Sequence, residues 1–209
     1  GIKIWEKELE IKNLSGWAAG YGKLITIGWI KNRSGEYVFN LYEIDINSGE
    51  TINQFPLWKN ADNNFRLSNI YTYDKVYIVD ANVERRRYIT ALSGGGIIWE
   101  KDYAASRLLS SKPVEIIEYD DLVIIPLDET LQAVDISSGK DVWEYNFSDE
   151  FEGLEYMNQH SLNENRLSLL SQDEEYVVLD LQSRTVIYQE DIDFDESVII
   201  GHLDDKYIF

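Results

Sequence analysis

The stretch Leu131-Gln132-Ala133-Val134-Asp135-Ile136-Ser137-Ser138-Gly139-Lys140-Asp141-Val142-Trp143-Glu144 decides the fold. It reads as a β-strand, a turn carrying Asp, Ser and Gly, and a second strand ending in an aromatic residue. Asp135 sits just past the first strand, where its carboxylate can accept hydrogen bonds from turn amides. Gly139 follows Ser138, and glycine there adopts positive φ at no steric cost. Trp143 is expected to bury a large apolar area between neighbouring sheets.

The phrase returns along the chain, at Leu41–Phe55, Tyr88–Glu100 and Tyr176–Gln189. The position four residues before the aromatic serves as an anchor. It is Gly1 before Trp5, Gly95 before Trp99, Gly139 before Trp143 and Arg184 before Tyr188. In the Leu41–Phe55 copy Gly49 holds it, with Asn53 in the aromatic slot and Phe55 just beyond. Successive anchors lie 48, 46, 44 and 45 residues apart. That is the size of a four-stranded propeller blade and exceeds the helical repeats of about 34 residues.

Each repeat also has an upstream strand opened by a polar turn. These are Tyr21–Ile27, Tyr73–Val79, Tyr119–Ile125 and Asn165–Leu170, with a fifth at Asp204–Phe209. Tyr37-Val38-Phe39, Val123-Ile124-Ile125 and Tyr176-Val177-Val178 are rich in β-branched and aromatic residues, which suit a pleated surface. The plainer alternative is a set of unrelated hairpins. Two marks recurring in one order at near-constant spacing weigh against it.

The phrase resembles the repeat of the quinoprotein-like (PQQ-like repeat) β-propellers, whose blades carry an Ala-Leu-Asp, turn, Gly, aromatic pattern. Ala133, Asp135, Gly139 and Trp143 stand in the family's marked positions. The Asp180 copy departs at Arg184, the Thr90–Trp99 copy has a shorter turn without Asp, and the Leu41–Phe55 copy lacks the Trp. The resemblance implies an all-β propeller of four-stranded antiparallel blades, with four complete repeats and a partial one, as a single domain over residues 1–209. Many unrelated activities use this fold, so function does not follow from it. The family's quinone-dependent dehydrogenases are larger, bind calcium, and in many cases stack the cofactor on a vicinal cysteine disulfide. This chain has no cysteine, so quinone oxidation is not expected, and no cofactor is expected either.

The ends fall inside repeats. The chain opens on what reads as the last strand of one repeat, Gly1–Glu8, and closes on the second strand of another, Lys206–Phe209. The expectation is a piece of a larger ring; the alternative is a five-bladed ring with an abnormal closing blade.

The formal net charge is −19, and its distribution is uneven. Residues 1–105 carry 13 acidic and 13 basic side chains, and residues 106–209 carry 25 and 6. Such a field disfavours nucleic acid and anionic membranes and attracts a basic partner, or it serves solubility alone. No apolar run is long enough for a membrane span. Zero cysteines exclude disulfides and thiolate metal sites but leave the compartment open between periplasm, extracellular space and cytoplasm.

Residues that could carry chemistry are few. His160 and His202 fall at equivalent places of the fourth and fifth repeats and could face one channel as a ligand or metal site; two imidazoles alone fall short of a ligand set. Asp191, Asp193 and Asp195 would share one face of a strand and could attract calcium, although the run lacks the glycine and distal glutamate of a helix-loop-helix calcium loop. Arg85-Arg86-Arg87 reads as a solvated hairpin turn, and Gly94-Gly95-Gly96 as a strand-to-strand turn with no phosphate-loop context. No catalytic residue is assigned.

The first functional reading is a non-enzymatic scaffold that binds another protein. Its contact surface would be the acidic second half, with Asp149, Glu150, Glu152, Asp173, Glu174 and Glu175 as candidates. This matches what the resemblance implies for non-catalytic members of the family, including outer-membrane assembly factors. One alternative is an immunity or inhibitor protein masking a basic toxin. Another is a channel-site enzyme or a small-ligand or metal sensor using His160 and His202.

Overall fold

The computed structural model describes residues 5–8, 13–60, 66–73, 75–83, 86–94, 96–104, 115–127, 130–146, 159–170, 175–191, 201–203 and 206–208. For residues 13–15, 59–60, 83, 159–160, 170, 175, 191, 201–203 and 206–208 the backbone alone is described.

Every element among them is a β-strand. Sheet I holds β1 (Asn13–Gly20), β2 (Lys23–Lys31), β3 (Tyr37–Asp45) and β4 (Thr51–Asn60). Sheet II holds β5 (Arg66–Tyr73), β6 (Val76–Val83), β7 (Arg86–Ser93) and β8 (Gly96–Ala104). Sheet III holds β9 (Ile117–Tyr119), β10 (Leu122–Pro126), β11 (Thr130–Asp135) and β12 (Asp141–Asn146). Sheet IV holds β13 (Gln159–Asn163), β14 (Arg166–Leu170), β15 (Glu175–Asp180) and β16 (Thr185–Asp191). A two-stranded hairpin, β17 (Gly201–Leu203) and β18 (Lys206–Ile208), follows. Within each sheet the strands lie in chain order, antiparallel, as four complete repeats and a partial one.

Two compact units are distinguished. Unit 1 is Gly1–Ala105 with Asp135–Lys140, and unit 2 is Ser106–Val134 with Asp141–Phe209. In unit 1, Ile25, Ile27, Phe39 and Leu41 of sheet I pack with Ile70, Tyr77, Val79 and Ala81 of sheet II. The register explains the grouping: Ile27 lies opposite Leu41, so both project from one face. In unit 2, Ile124, Leu131, Ala133 and Trp143 of sheet III pack with Leu167, Leu169, Val177 and Leu179 of sheet IV. Each fully buried Leu or Ile contributes about 1.5–3 kcal/mol of hydrophobic stabilisation.

The first hairpin of each of three sheets turns on two residues, with positive φ at Tyr21 (50°), Asp120 (53°) and Glu164 (52°). Left-handed residues there match the right-handed twist of the flanking strands.

Two sequence expectations need correction. Of the Arg85–Arg87 run, Arg85 lies outside the described residues; Arg86 and Arg87 lie in β7 and not in a turn, Arg86 exposed and Arg87 largely buried against Asp80. Nε and Nη2 of Arg87 donate to Oδ1 and Oδ2 of Asp80 at 3.0 and 2.7 Å, a two-pronged pair that satisfies a carboxylate 1% exposed. Burial works against the Arg87 charge, but Asp80 outweighs it and the pKa ends raised. Nor do Trp5–Glu8 form a strand, since they pair with no neighbouring strand among the described residues; the Trp5 indole is engaged on a turn of sheet I.

Candidate functional site

The link between the third and fourth strands repeats almost atom for atom in three sheets. Asp45 Oδ1 accepts from the amides of Asn47 and Ser48 at 2.9 and 2.7 Å. Asp135 Oδ1 accepts from the Ser138 amide at 2.7 Å and from both Ser137 and Ser138 hydroxyls. Asp180 Oδ1 accepts from the Ser183 amide at 2.6 Å and its hydroxyl at 2.9 Å. The fifth residue closes each turn, with the amides of Gly49, Gly139 and Arg184 donating to the Asp45, Asp135 and Asp180 carbonyls. Donors from Ser48, Ser138 and Ser183 stabilise the ionised carboxylates and hold all three below the usual carboxylate range.

These turns are docking platforms for tryptophan. Trp5 Nε1 donates to the Ile46 carbonyl and Trp99 Nε1 to the Ile136 carbonyl, each at 2.7 Å. A Cβ on Gly49 would meet the Trp5 ring at 2.8 Å, and one on Gly139 would meet Trp99 Cγ at 2.5 Å. Glycine is therefore required twice over, for positive φ and for the ring lying on its α-carbon. Arg184 solves the third case differently. It adopts φ of 58° and sets its guanidinium 6.0 Å from the centre of the Trp143 ring, so a cation covers an indole where glycine elsewhere accepts one.

The pairing of sheets I and II lacks this dock on both sides. In sheets II, III and IV the aromatics Trp99, Trp143 and Tyr188 lie cross-strand from Ala91, Ala133 and Val178. In sheet I the pair is Asn53 and Glu43. In sheet II, Leu92 pairs with Ile97 where Ile44 pairs with Thr51 in sheet I, so its link is two residues shorter and has no Asp. A polar cluster replaces the ring. Glu43 is fully buried, and its Oε2 accepts from Lys23 Nζ at 3.0 Å and Asn53 Nδ2 at 2.7 Å. Its Oε1 has no hydrogen-bond partner among the described residues. Lys23 Nζ lies 5.8 Å from the centre of the Tyr77 ring. Burial opposes the Lys23 charge, but Glu43 more than compensates and its pKa is raised.

A second tryptophan ties these sheets farther along β4. Trp58 Nε1 donates to Glu100 Oε2 at 3.0 Å, an oxygen shared with the Thr90 hydroxyl, and the indole lies 6.2 Å from the Tyr88 ring.

No protein-family model and no curated protein sequence matches this chain. Solved structures do. BamB from Moraxella catarrhalis aligns at 15% identity with a TM-score of 0.54, over 90% of this chain and 55% of its own. The computationally designed Ika4 protein aligns at 10% identity and 0.54, over 92% of this chain and 99% of its own. A europium-containing methanol dehydrogenase aligns at 12% identity and 0.54, over 84% of this chain and 41% of its own. This chain thus spans about half the length of BamB.

The fold is that of a PQQ-like repeat β-propeller. Each four-stranded sheet is a blade, and the Asp turns with their tryptophans are the blade-to-blade locks.

In the two blades of unit 2 the hairpin ends form one acid-rich surface. Tyr119 donates its hydroxyl to Asn165 Oδ1 at 2.9 Å, joining the first hairpins of the third and fourth blades. The Leu181 amide donates to the Asn165 carbonyl at 2.7 Å, which brings the Asp180 turn to the same end. Asp120, Asp121 and Glu164 are exposed there. Glu118 follows in β9, its carboxyl raised by partial burial. In the sequence Asp120 and Asp121 mark only the opening of a strand; the signal for this surface is Glu164 at the equivalent turn of the next repeat.

The backbone of His160 lies on β13 and that of His202 on β17, the first strands of the fourth blade and of the final hairpin. Asp191 ends β16 and Glu175 begins β15. The side chains of these four lie outside the described residues, as do Asp149, Glu150, Glu152, Asp173, Glu174, Asp193 and Asp195 altogether. Among the described residues no group of three His, Cys, Asp or Glu could hold a metal ion, and no helix is long and apolar enough to cross a membrane.

Proposed function

We propose that this propeller is a non-enzymatic scaffold that binds another protein, and that the acid-rich hairpin end of the third and fourth blades takes a basic surface of that partner. The observation that carries the reading is the Tyr119–Asn165 bond, which sets Asp120–Asp121 beside Glu164 on a hydrogen-bonded frame. Exposed like charges on a rigid frame act together over a Debye length of about 8–10 Å, steering a cationic partner. The propeller fold shared with BamB is compatible with such a role.

The test is affinity capture with the parent chain and with Asp120→Lys/Asp121→Lys/Glu164→Lys, followed by binding measurements on the recovered partner at rising salt. Affinity is expected to fall with salt and to drop at least about tenfold in the variant, chiefly through slower association. A partner bound equally by both proteins, at every salt concentration, would refute the reading.

A further inference from the structure

The two most exposed large apolar side chains among the described residues stand four positions apart in the first blade. Trp17 on β1 is 72% exposed, and Tyr21, in the turn that follows, is 62% exposed. A Cβ on Gly16 or Gly20 would point at Leu67 or Thr72 of sheet II, so Trp17, at the alternate position, projects from the opposite face of β1. Tyr21 has φ of 50°, a left-handed conformation that bulky side chains seldom adopt. The third and fourth blades place Asp120 and Glu164 at the same turn position. The Ile46 amide donates to the Gly22 carbonyl at 3.0 Å and so holds the Asp45 turn against the Tyr21–Gly22 turn. Ile46 is 41% exposed, whereas Leu181, which makes the matching bond to Asn165 in the fourth blade, is 2% exposed.

The fold does not need these rings in solvent, since acidic residues serve the same turn in the other blades. A tyrosine there carries backbone strain and still leaves its ring uncovered, a combination found at binding sites. Exposed tryptophan and tyrosine on a rigid frame anchor partners well, because they cover a large area with few rotatable bonds. No charged side chain lies between Gly16 and Gly22 or between Ile46 and Gly49, in a chain of net charge −19. A charge brought onto this patch would be desolvated without a counter-ion, so the occupant is uncharged where it touches. A second copy is a poor occupant. Two rings at about 150–250 Å² each and one isoleucine fall short of the roughly 800 Å² per partner of a stable dimer, and two such acidic chains repel. A sugar chain is also disfavoured, since its hydroxyls need polar partners and Asp45 Oδ1 is already engaged by the Asn47 and Ser48 amides.

We infer that Trp17, Tyr21 and Ile46 form an anchor surface for a short, extended, uncharged segment of a partner protein, with aliphatic and proline side chains against the two rings. Four residues of strand separate Trp17 from Tyr21 by about 13 Å, a span that four to five extended residues of the partner cover. The surface shares with the scaffold reading only that its ligand is a protein. Its residues are distinct from Asp120, Asp121 and Glu164.

The probe is the hexapeptide acetyl-Pro-Leu-Pro-Leu-Pro-Leu-amide, titrated into the ¹⁵N-labelled protein by NMR, with an acetylated and amidated Gly-Ser hexapeptide and cellohexaose as comparisons. Shifts are expected at the Trp17 indole N–H and at the Tyr21, Gly22 and Ile46 amides, with Kd of about 1 mM. Trp17→Thr with Tyr21→Asp removes both rings, keeps a strand former on β1 and gives the turn the residue that Asp120 supplies in the third blade. Binding is expected to weaken at least about tenfold, with the Tm of Tyr21→Asp alone equal to or above that of the parent. The inference is overturned by the absence of these shifts, by an equal response to the Gly-Ser peptide, by a stronger response to cellohexaose, or by undiminished binding in the double variant. A Tm several degrees lower in Tyr21→Asp would assign the ring to the fold and overturn it as well. Asp120→Lys/Asp121→Lys/Glu164→Lys is expected to bind the probe as the parent does, which keeps a failure of the acidic surface distinct from a failure here; loss of probe binding in that variant would overturn the inference.

Discussion

Replacing Gly139 by alanine tests the lock at its tightest point. The new Cβ would lie 2.5 Å from Trp99 Cγ, 2.8 Å from its Cβ and 2.9 Å from Cδ2. The indole has little room to yield, being 8% exposed and bonded through Nε1 to the Ile136 carbonyl. Three costs combine. A φ of 69° costs an L-residue about 1–2 kcal/mol. Overpacking adds about 1–3 kcal/mol. A displaced indole loses a hydrogen bond worth about 1 kcal/mol. Since relaxing one relieves another, the expected total is about 3–5 kcal/mol, a fall in Tm of roughly 10 °C for a chain of this size. Arg184→Gly is the matched control, because Arg184 occupies the equivalent position at φ of 58°. It relieves about 1 kcal/mol of left-handed strain and gives up a cation–π contact of about 0.5–1 kcal/mol, so stability should stay within about 1 kcal/mol. Thermal and urea unfolding followed by tryptophan fluorescence and circular dichroism measures both. A Gly139→Ala protein within about 1 kcal/mol of the parent, or an Arg184→Gly protein as damaged as Gly139→Ala, would refute the account of the turn.

Asp135→Asn should destabilise the protein at neutral pH, and the gap should close in acid. The folded pKa of Asp135 is depressed by Ser138 and Ser137, so its contribution is present above the unfolded value near 4 and is lost as pH falls through the folded one. Tm differences across a pH series check this; a gap independent of pH would contradict it. Trp58→Phe keeps the ring and removes the donor to Glu100, for an expected loss of about 1 kcal/mol in urea unfolding, since the exposed Glu100 carboxylate regains water. Arg87→Met strands Asp80 at 1% exposure and should cost about 3–5 kcal/mol, whereas Arg87→Met with Asp80→Leu should recover most of it; failure of the double variant to recover would show that the pair is not the cause.

The repeat was legible because its chemistry is local. Asp135, Ser138 and Gly139 lie within five residues and satisfy one another's backbone, so strand, turn and strand follow from a short window. The blade spacing followed from the same marks. Where a copy departed from the pattern, the sequence registered only the departure. Arg184 looked like a lost glycine, but its cation lies over Trp143, a residue 41 positions earlier brought near only by blade packing.

The arginine run shows the same limit. Its charge suggested a solvated turn, and what buries Arg87 is Asp80, on the neighbouring strand. Asn53 read as a missing tryptophan; the register of β3 against β4 sets Glu43 beneath it and brings Lys23 to the same oxygen. The relocated tie through Trp58 and Glu100 joins residues 42 apart in sequence. By itself, then, the sequence determined the turns, the blade period and the asymmetry of charge, all of which depend on near neighbours or on composition. The tertiary structure alone decided which charges are buried, which tryptophans lie on which turns and what takes the place of a missing one. Those outcomes depend on what a side chain meets across a sheet or from the next blade, and the energy of burying a charge or a ring is set by that partner.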